Sequence, residues 1–213
     1  MAYIKIKRAM DFILALLGLI ILSPLFVLIA IGIKVDSKGP VLFRQKRVGI
    51  HKTHFDMLKF RTMRTDTPKD VPTHQLLNPE KYITRFGRFL RKTSLDELPQ
   101  IWNILVGHMS IIGPRPALWN QFDLIEERDK YGANDVRPGL TGLAQISGRD
   151  ELSIKDKAFL DGEYVKNLGL FMDLKCFMLT IIRVLKQDGI VEGAAGAIGC
   201  LEEVASSKEV ISE

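Results

Sequence analysis

The sequence is poor in the residues from which many sites are built. It has only two cysteines, Cys176 and Cys200, and four histidines, His51, His54, His74 and His108. Neither set has metal-ligand spacing or makes a disulfide framework, so a zinc cluster and a disulfide-stapled domain are excluded. The usage fits a reducing, cytosolic setting. There is no internal repeat, no Asp-x-Asp triplet, and no glycine spacing of a P-loop or dinucleotide fingerprint. Charge of one sign is also lacking: 30 Lys and Arg face 25 Asp and Glu, a net +5 with a pI near 9.2. A basic balance suits anionic lipid, nucleotide or nucleic acid and does not choose among them.

One long uncharged run stands out against this. Phe12 to Ile33 reads FILALLGLIILSPLFVLIAIGI. At about 1.5 Å per residue it is long enough for a bilayer core of roughly 30 Å. Its length and the lack of a small-residue cleavage site argue against a secretory signal. An ordinary spanning anchor is the plain reading. Ser23-Pro24 sits at mid-run, where proline removes a donor and bends or breaks a helix, and serine can bond back one turn. Both flanks are basic: Lys5, Lys7 and Arg8 before, Lys34 and Lys38 after. Like flanks permit a hairpin that enters and leaves on one face, whereas a spanning helix favours unequal ones. A kinked spanning helix stays open.

Beyond the run, Val41 to Phe60 reads as a strand pair around a turn at Gly49. Asp66 to Pro79 is polar and proline-rich and reads as a loop. Tyr82 to Lys92 spaces Ile83, Phe86 and Leu90 as one face of a basic amphipathic helix, either solvated or lying at a membrane surface. Leu98, Ile101, Trp102 and Leu105 make a second helical stripe, with Trp102 suited to core or to headgroup level. Leu170 to Leu185 is a third helix; Asp173, Lys175 and Arg183 inside it argue against a second crossing. The chain is expected to be α+β and mostly helical. Residues 1–38 form the membrane element, 39–190 the catalytic domain and 191–213 a weakly ordered tail.

Three constellations carry chemical promise. In RKTSLDELPQ, Asp96 and Glu97 are adjacent carboxylates suited to different jobs: nucleophile or metal ligand for one, base or second ligand for the other. Ser94-x-x-Glu97 is also a capping box, and acids suit a helix N-terminus, so capping explains the pair by spacing alone. Lys59, Arg61 and Arg91 supply nearby positive charge, as phosphoryl chemistry requires, and magnesium favours a few carboxylates with phosphate and water. Gly113-Pro114-Arg115-Pro116 is rigid on both sides of Arg115 and would hold its guanidinium for phosphate or base recognition, unless it is a plain turn. RPGLTGLAQISGR (137–149), with Gln145 and Arg149, has three glycines that allow backbone to approach a ligand closely.

These motifs together resemble the bacterial sugar transferase family, the small monotopic polyprenyl-phosphate phosphoglycosyl transferases. The carriers are Ser23-Pro24, LKFRTM (58–63), RKTSLDELPQIWN (91–103), MSIIGPRPAL (109–118) and VRPGLTGLAQISGRD (136–150), and the likeness covers about residues 5 to 190. It resembles the minimal catalytic form, without a large multi-span region. The resemblance implies that Ser23-Pro24 breaks a re-entrant membrane helix, giving helix–break–helix. It implies that Asp96 attacks the β-phosphate of a UDP-sugar, expelling UMP, and that a polyprenyl phosphate, undecaprenyl phosphate, then takes the sugar phosphate. Glu97 is implied as second acid and, with Asp96, as ligand to Mg2+. Lys59, Arg91 and Arg149 are implied near the phosphates, Pro114-Arg115-Pro116 in nucleotide or lipid-phosphate recognition, and Gln145 in substrate binding. The implied setting is the cytoplasmic face of a bacterial inner membrane, as the first membrane step of capsule, exopolysaccharide or glycoprotein glycan synthesis. RPALWNQFDLIEER (115–128) leans toward an N-acetylated amino sugar.

Two rival classes compete. A conventional metal-dependent glycosyltransferase would release UDP instead of UMP and commonly carries the Asp-x-Asp triplet that is missing. A membrane-anchored binding module explains charge and anchor but not Asp-Glu followed by Gly-Pro-Arg-Pro. Nucleic acid is not an expected partner, given the apolar run and interspersed acids.

Overall fold

The computed structural model describes residues 2–67, 79–148 and 152–186. The chain is mostly helical, with two small sheets. Residues Ala2–Asp36 form a single helix, α1, with Pro24 inside it. It is long and apolar enough to cross a membrane. Where a helix–break–helix was expected, α1 runs through Ser23-Pro24 as helix, and the reason is local. Proline has no N–H for the carbonyl of Ile20, four residues back. The Ser23 hydroxyl donates to that same carbonyl at 2.8 Å, so the acceptor the proline would orphan keeps a donor.

Both ends of α1 are held by the same folded body. Near its start, Tyr3 and Lys7 donate to Asp173 at 2.6 and 2.7 Å. Arg8 donates to the carbonyls of Ile104 and Leu105. The buried Asp11 carboxylate accepts from Ser110 Oγ and from the Ile111 amide, at 2.7 and 3.1 Å. At its end, Asp36 accepts from the Phe86 amide, and Arg61 donates to the carbonyls of Ser37, Lys38 and Pro40. These three carbonyls lie in the segment that leaves α1, just beyond its last helical residue. Between these ties, Ile13, Leu17, Ile20, Ile21, Leu28 and Ile31 stay exposed.

The expected strand pair is present as β1 (Leu42–Val48) and β2 (His54–Phe60), antiparallel with Leu42 opposite Phe60. Its turn runs past Gly49 into Ile50–Lys52. Helix α2 spans Arg85–Lys92, shorter than expected. Thr84 is its N-cap and accepts from the Gly87 amide, while Ile83 is instead bridged to Met63. Helix α3 (Gln100–Leu105) runs along α1: Ile104 is buried with Ala15, Phe55, Met57 and Met109, and Ile101 packs beside them. Trp102 points outward, 51% exposed. A second cluster joins Ile29 and Ile33 of α1 to Phe60 and Leu90. The helix is therefore part of both cores.

Five elements were not foreseen. Strands β3 (Ser110–Ile112) and β4 (Gly139–Thr141) pair in parallel. Helices α4 (Phe122–Asp129) and α6 (Ile154–Lys166) pack together across a buried ion pair, in which Arg128 donates to Asp161 at 2.6 and 2.8 Å. Helix α5 (Leu143–Ser147) lies between β4 and α6 in sequence. Helix α7 (Leu170–Lys186) matches the third expected helix. It buries Asp173 and Cys176 and exposes Phe171, Leu174, Phe177, Met178 and Ile182. Most of the loop expected over 66–79, and the tail expected over 191–213, lie outside the described residues.

The α4–α6 pair yields a stability prediction. Asp161→Ala leaves the Arg128 charge buried and uncompensated and should cost about 3–5 kcal/mol. The double variant Arg128→Leu/Asp161→Leu should cost less than the single one. Urea unfolding of the three proteins checks this; equal losses would show that packing, not the orphaned charge, sets the cost.

Candidate active site

The acid pair does not sit in a capping box. Ser94 has a left-handed backbone, with φ 56°, and its side chain caps nothing. Residues Leu95–Glu97 form a single tight 3-10 turn, leaving α2 and leading through Pro99 into α3. The turn sends the two carboxylates to different surroundings. Glu97 Oε1 accepts from Lys59 Nζ at 2.7 Å and from Arg115 Nη2 at 3.3 Å. Lys59 is delivered by β2, and Arg115 by the segment following β3. Asp96 is buried, at 9% exposure. Both cations, and Arg91, act on it through space. Arg91 donates from Nε to Thr62 Oγ1 at 2.9 Å.

This arrangement splits the acids electrostatically. Burial is the largest influence on Asp96 and pushes its carboxyl up; the neighbouring Glu97 adds to the rise, and Lys59, Arg91 and Arg115 oppose it. Burial also pushes Glu97 up, but Lys59 and Arg115 together outweigh it and hold that carboxyl below the usual range. Two acids pushed apart by their environments are suited to different roles. Glu97 is the acid that bonds two cations; Asp96 is the more basic carboxyl of the pair.

The segment Gly113-Pro114-Arg115-Pro116 is held on both edges. On one, the Gly113 amide donates to the Thr141 carbonyl and the Gly139 amide to the Pro114 carbonyl, each at 2.8 Å. On the other, Arg47 Nη1 donates to the Pro116 carbonyl at 3.0 Å and the Val48 amide to the Ala117 carbonyl. The glycines that were expected to admit a ligand serve this packing instead. A Cβ at Gly139 would collide with the Gly113 nitrogen, and one at Gly142 with the Gly113 carbonyl. Gly148 lies against the Leu152 side chain.

The structure thus brings Asp96, Glu97, Lys59, Arg91 and Arg115 together. Pro114 and Pro116 contribute backbone carbonyls that hold Arg115's segment in place. Gln145 is buried in α5 and donates to the Leu140 carbonyl at 2.9 Å, with its Oε1 atom unpartnered; its described contacts lie with β4, not with the acid pair. Arg149 lies outside the described residues. Arg61, read from sequence as a phosphate neighbour, is buried and holds the segment that follows α1. Sequence reasoning missed Thr62, Arg47 and Asp11. For Asp11 a signal existed: it is the lone acid in an otherwise basic flank, directly before the apolar run.

Asp96 and Glu97 are the two carboxylates at this site, and Lys59 and Arg115 both bond Oε1 of Glu97. Among the described residues no cluster of three or more His, Cys, Asp or Glu is built to hold a metal. Two carboxylates with phosphate and water completing the shell is a magnesium-type donor set.

Comparison with known proteins shows the family. The family model for bacterial sugar transferases matches residues 2–187, and the chain belongs to that family. Among its relatives, the UDP-glucose:undecaprenyl-phosphate glucose-1-phosphate transferase of Xanthomonas campestris pv. campestris is 41% identical over 192 residues, covering 87% of this chain and 40% of its own length. The undecaprenyl-phosphate glucose phosphotransferase of Komagataeibacter xylinus is 42% identical, with 83% and 35% covered. The chain thus spans well under half of those two proteins. The exopolysaccharide production protein ExoY of Rhizobium meliloti, 37% identical, is matched over 87% of its length and 86% of this chain.

Opposite stability effects are expected for the two acids. The raised Asp96 carboxyl binds its proton more readily folded than unfolded, so it contributes stability below its unfolded pKa that is lost as pH rises through the folded one. Asp96→Asn should therefore leave stability at neutral pH unchanged or higher. The depressed Glu97 carboxyl contributes stability above its unfolded pKa that is lost as pH falls through the folded value. Glu97→Gln sets Lys59 and Arg115 against each other and should cost about 1–2 kcal/mol at neutral pH, discounted for partial exposure. Thermal unfolding across pH checks both signs; a loss in Asp96→Asn as large as in Glu97→Gln would contradict the split.

Proposed function

We propose that the protein transfers a sugar-1-phosphate from a UDP-sugar to a polyprenyl phosphate, with undecaprenyl phosphate as acceptor, releasing UMP. The observation that carries this is the asymmetric acid pair: a buried, more basic Asp96 beside a Glu97 committed to two cations. In the first step an Asp96 oxygen attacks the β-phosphorus. The bond from that phosphorus to the bridging oxygen breaks, and UMP leaves with the electron pair. In the second step the acceptor phosphate oxygen attacks the same phosphorus and Asp96 is released as carboxylate. Covalent catalysis of this kind splits one displacement into two, so a single site serves a soluble donor and a lipid acceptor in turn. Lys59 and Arg115 are placed to neutralise the transferred phosphoryl group, with Glu97 fixing them. Mg2+, held by Asp96 and Glu97, would supply further neutralisation of phosphate charge.

The membrane setting follows the same reading. A helix whose two ends are both bonded to one folded body does not leave that body on one face and its own far end on the other. This supports a monotopic α1 that stays at one face of the bilayer; the cytoplasmic side for the catalytic domain is part of the same proposal. The exposed apolar side chains of α1 and α7, and Trp102 and Phe89, would meet lipid, where each buried aliphatic contributes about 1.5–3 kcal/mol. Pathway placement is polysaccharide synthesis, in keeping with the relatives' names. For the donor, those names point to UDP-glucose. The segment 115–128, which leaned toward an N-acetylated amino sugar, is largely α4 packed on α6.

Asp96→Asn should abolish UMP release from a panel of UDP-sugars with undecaprenyl phosphate while the variant still fractionates with membranes. Near-normal UMP release, or release of UDP by the wild type, would overturn the reading. Pro24→Ala should shift α1 toward a spanning topology, read by cysteine labelling of Lys5 and Lys38 positions; both flanks labelling as cytoplasmic in the variant would show that proline does not decide it.

A further inference from the structure

The Asp11 carboxylate is buried, and it bonds two consecutive residues of β3, Ser110 and Ile111, a hundred residues away in sequence. The third residue of the strand, Ile112, is held from the other side. Its carbonyl accepts from Tyr164 Oη, which also lies 2.7 Å from Asp173 Oδ1. Asp173 takes Tyr3 and Lys7 of α1 through its other oxygen. Every residue of β3 is thus tied to a carboxylate network shared by α1 and α7, the two helices with the largest exposed apolar faces. Strand β3 runs without interruption into Gly113-Pro114-Arg115, and the prolines leave that segment little freedom to absorb a shift. Arg115 in turn reaches Glu97 Oε1 at 3.3 Å, at the long end of a charged hydrogen bond. A small displacement of β3 would take it out of range.

We propose that Asp11 is a positioning residue: from within the membrane helix it sets, through β3, where the Arg115 guanidinium stands relative to Glu97 and the transferred phosphate. This rests on the phosphoglycosyl transfer reading above. The site then depends on α1 for alignment as well as for anchorage. An aspartate costs more than an apolar residue at the entrance to a lipid-seated helix. A purely anchoring helix has no use for it, whereas a carboxylate with two bonds to one strand fixes both position and register.

The test is a double-mutant cycle on the full-length protein in nanodiscs, reading UMP release at varied UDP-sugar. Wild-type release shows first that the reaction reading holds. Asp11→Ala should lower kcat/KM by about 10–100-fold, the scale expected of a misplaced charged group. Asp11→Asn, which still accepts from the Ile111 amide, should recover most of it. In an Arg115→Ala background, Asp11→Ala should cost less than about 3-fold further, because the residue it positions is gone. If Asp11→Ala does not fold, Ser110→Ala carries the same cycle with a single bond removed. Fully multiplicative losses in the two backgrounds, or losses that only follow the amount of folded membrane-bound protein, would overturn the proposal.

Discussion

The structure depends on keeping one very apolar helix attached to a polar domain at both of its ends. Hydrophobic contact alone would not do this, since a membrane offers α1 as good a surroundings as the protein core does. Directional bonds supply the difference. Lys7 on Asp173, Arg8 on two carbonyls and Asp11 on β3 lock the start; Asp36 on Phe86 and Arg61 on three carbonyls lock the end. Between the locks only one stripe of the helix, including Ala15, Ile29 and Ile33, is buried in protein. The rest is left for lipid. Ser23 preserves the helix across Pro24 by replacing the missing donor to Ile20, so the helix bears a proline at mid-run without shedding a carbonyl into an apolar medium.

The same economy shapes the acid pair. Two carboxylates next to each other in a partly buried turn would repel, and one of them would take up a proton to relieve it. Routing Lys59 and Arg115 to one oxygen of Glu97 holds that carboxyl below the usual range and leaves Asp96 the more basic of the two. A fixed anion that arranges cations, beside a less stabilised anion that can attack, is the division of labour a covalent phosphoryl mechanism needs.

Much of this was legible from local pattern. The hairpin, the amphipathic helix ending at Lys92, the helix from Leu170 and the company of Lys59 and Arg91 with Asp96 and Glu97 follow from spacing and residue type, while Arg115 was joined to them only by the family resemblance. The errors have a common cause, which is that short-range pattern cannot report long-range partners. Ser94 and Glu97 have capping-box spacing, yet Glu97 is drawn away by cations from β2 and from beyond β3. Gly139 and Gly142 read as ligand-facing because glycine signals close approach, and the approach is to Gly113. Arg61 sits in a phosphate-like motif and instead holds the segment that follows α1. The three-residue strands β3 and β4 carry too little periodicity to be seen, and Asp11 gains its meaning from residues 110 and 111.

The account turns on whether Asp96 carries the sugar phosphate. The most direct measurement is to mix protein with UDP-sugar labelled at the β-phosphate, with no lipid acceptor present, then quench and map the label by peptide mass spectrometry. The account predicts one UMP released per active protein and a sugar-phosphoryl adduct on the peptide containing Asp96, discharged on adding polyprenyl phosphate. UMP formed only when acceptor is present, with no adduct at any time, would contradict it.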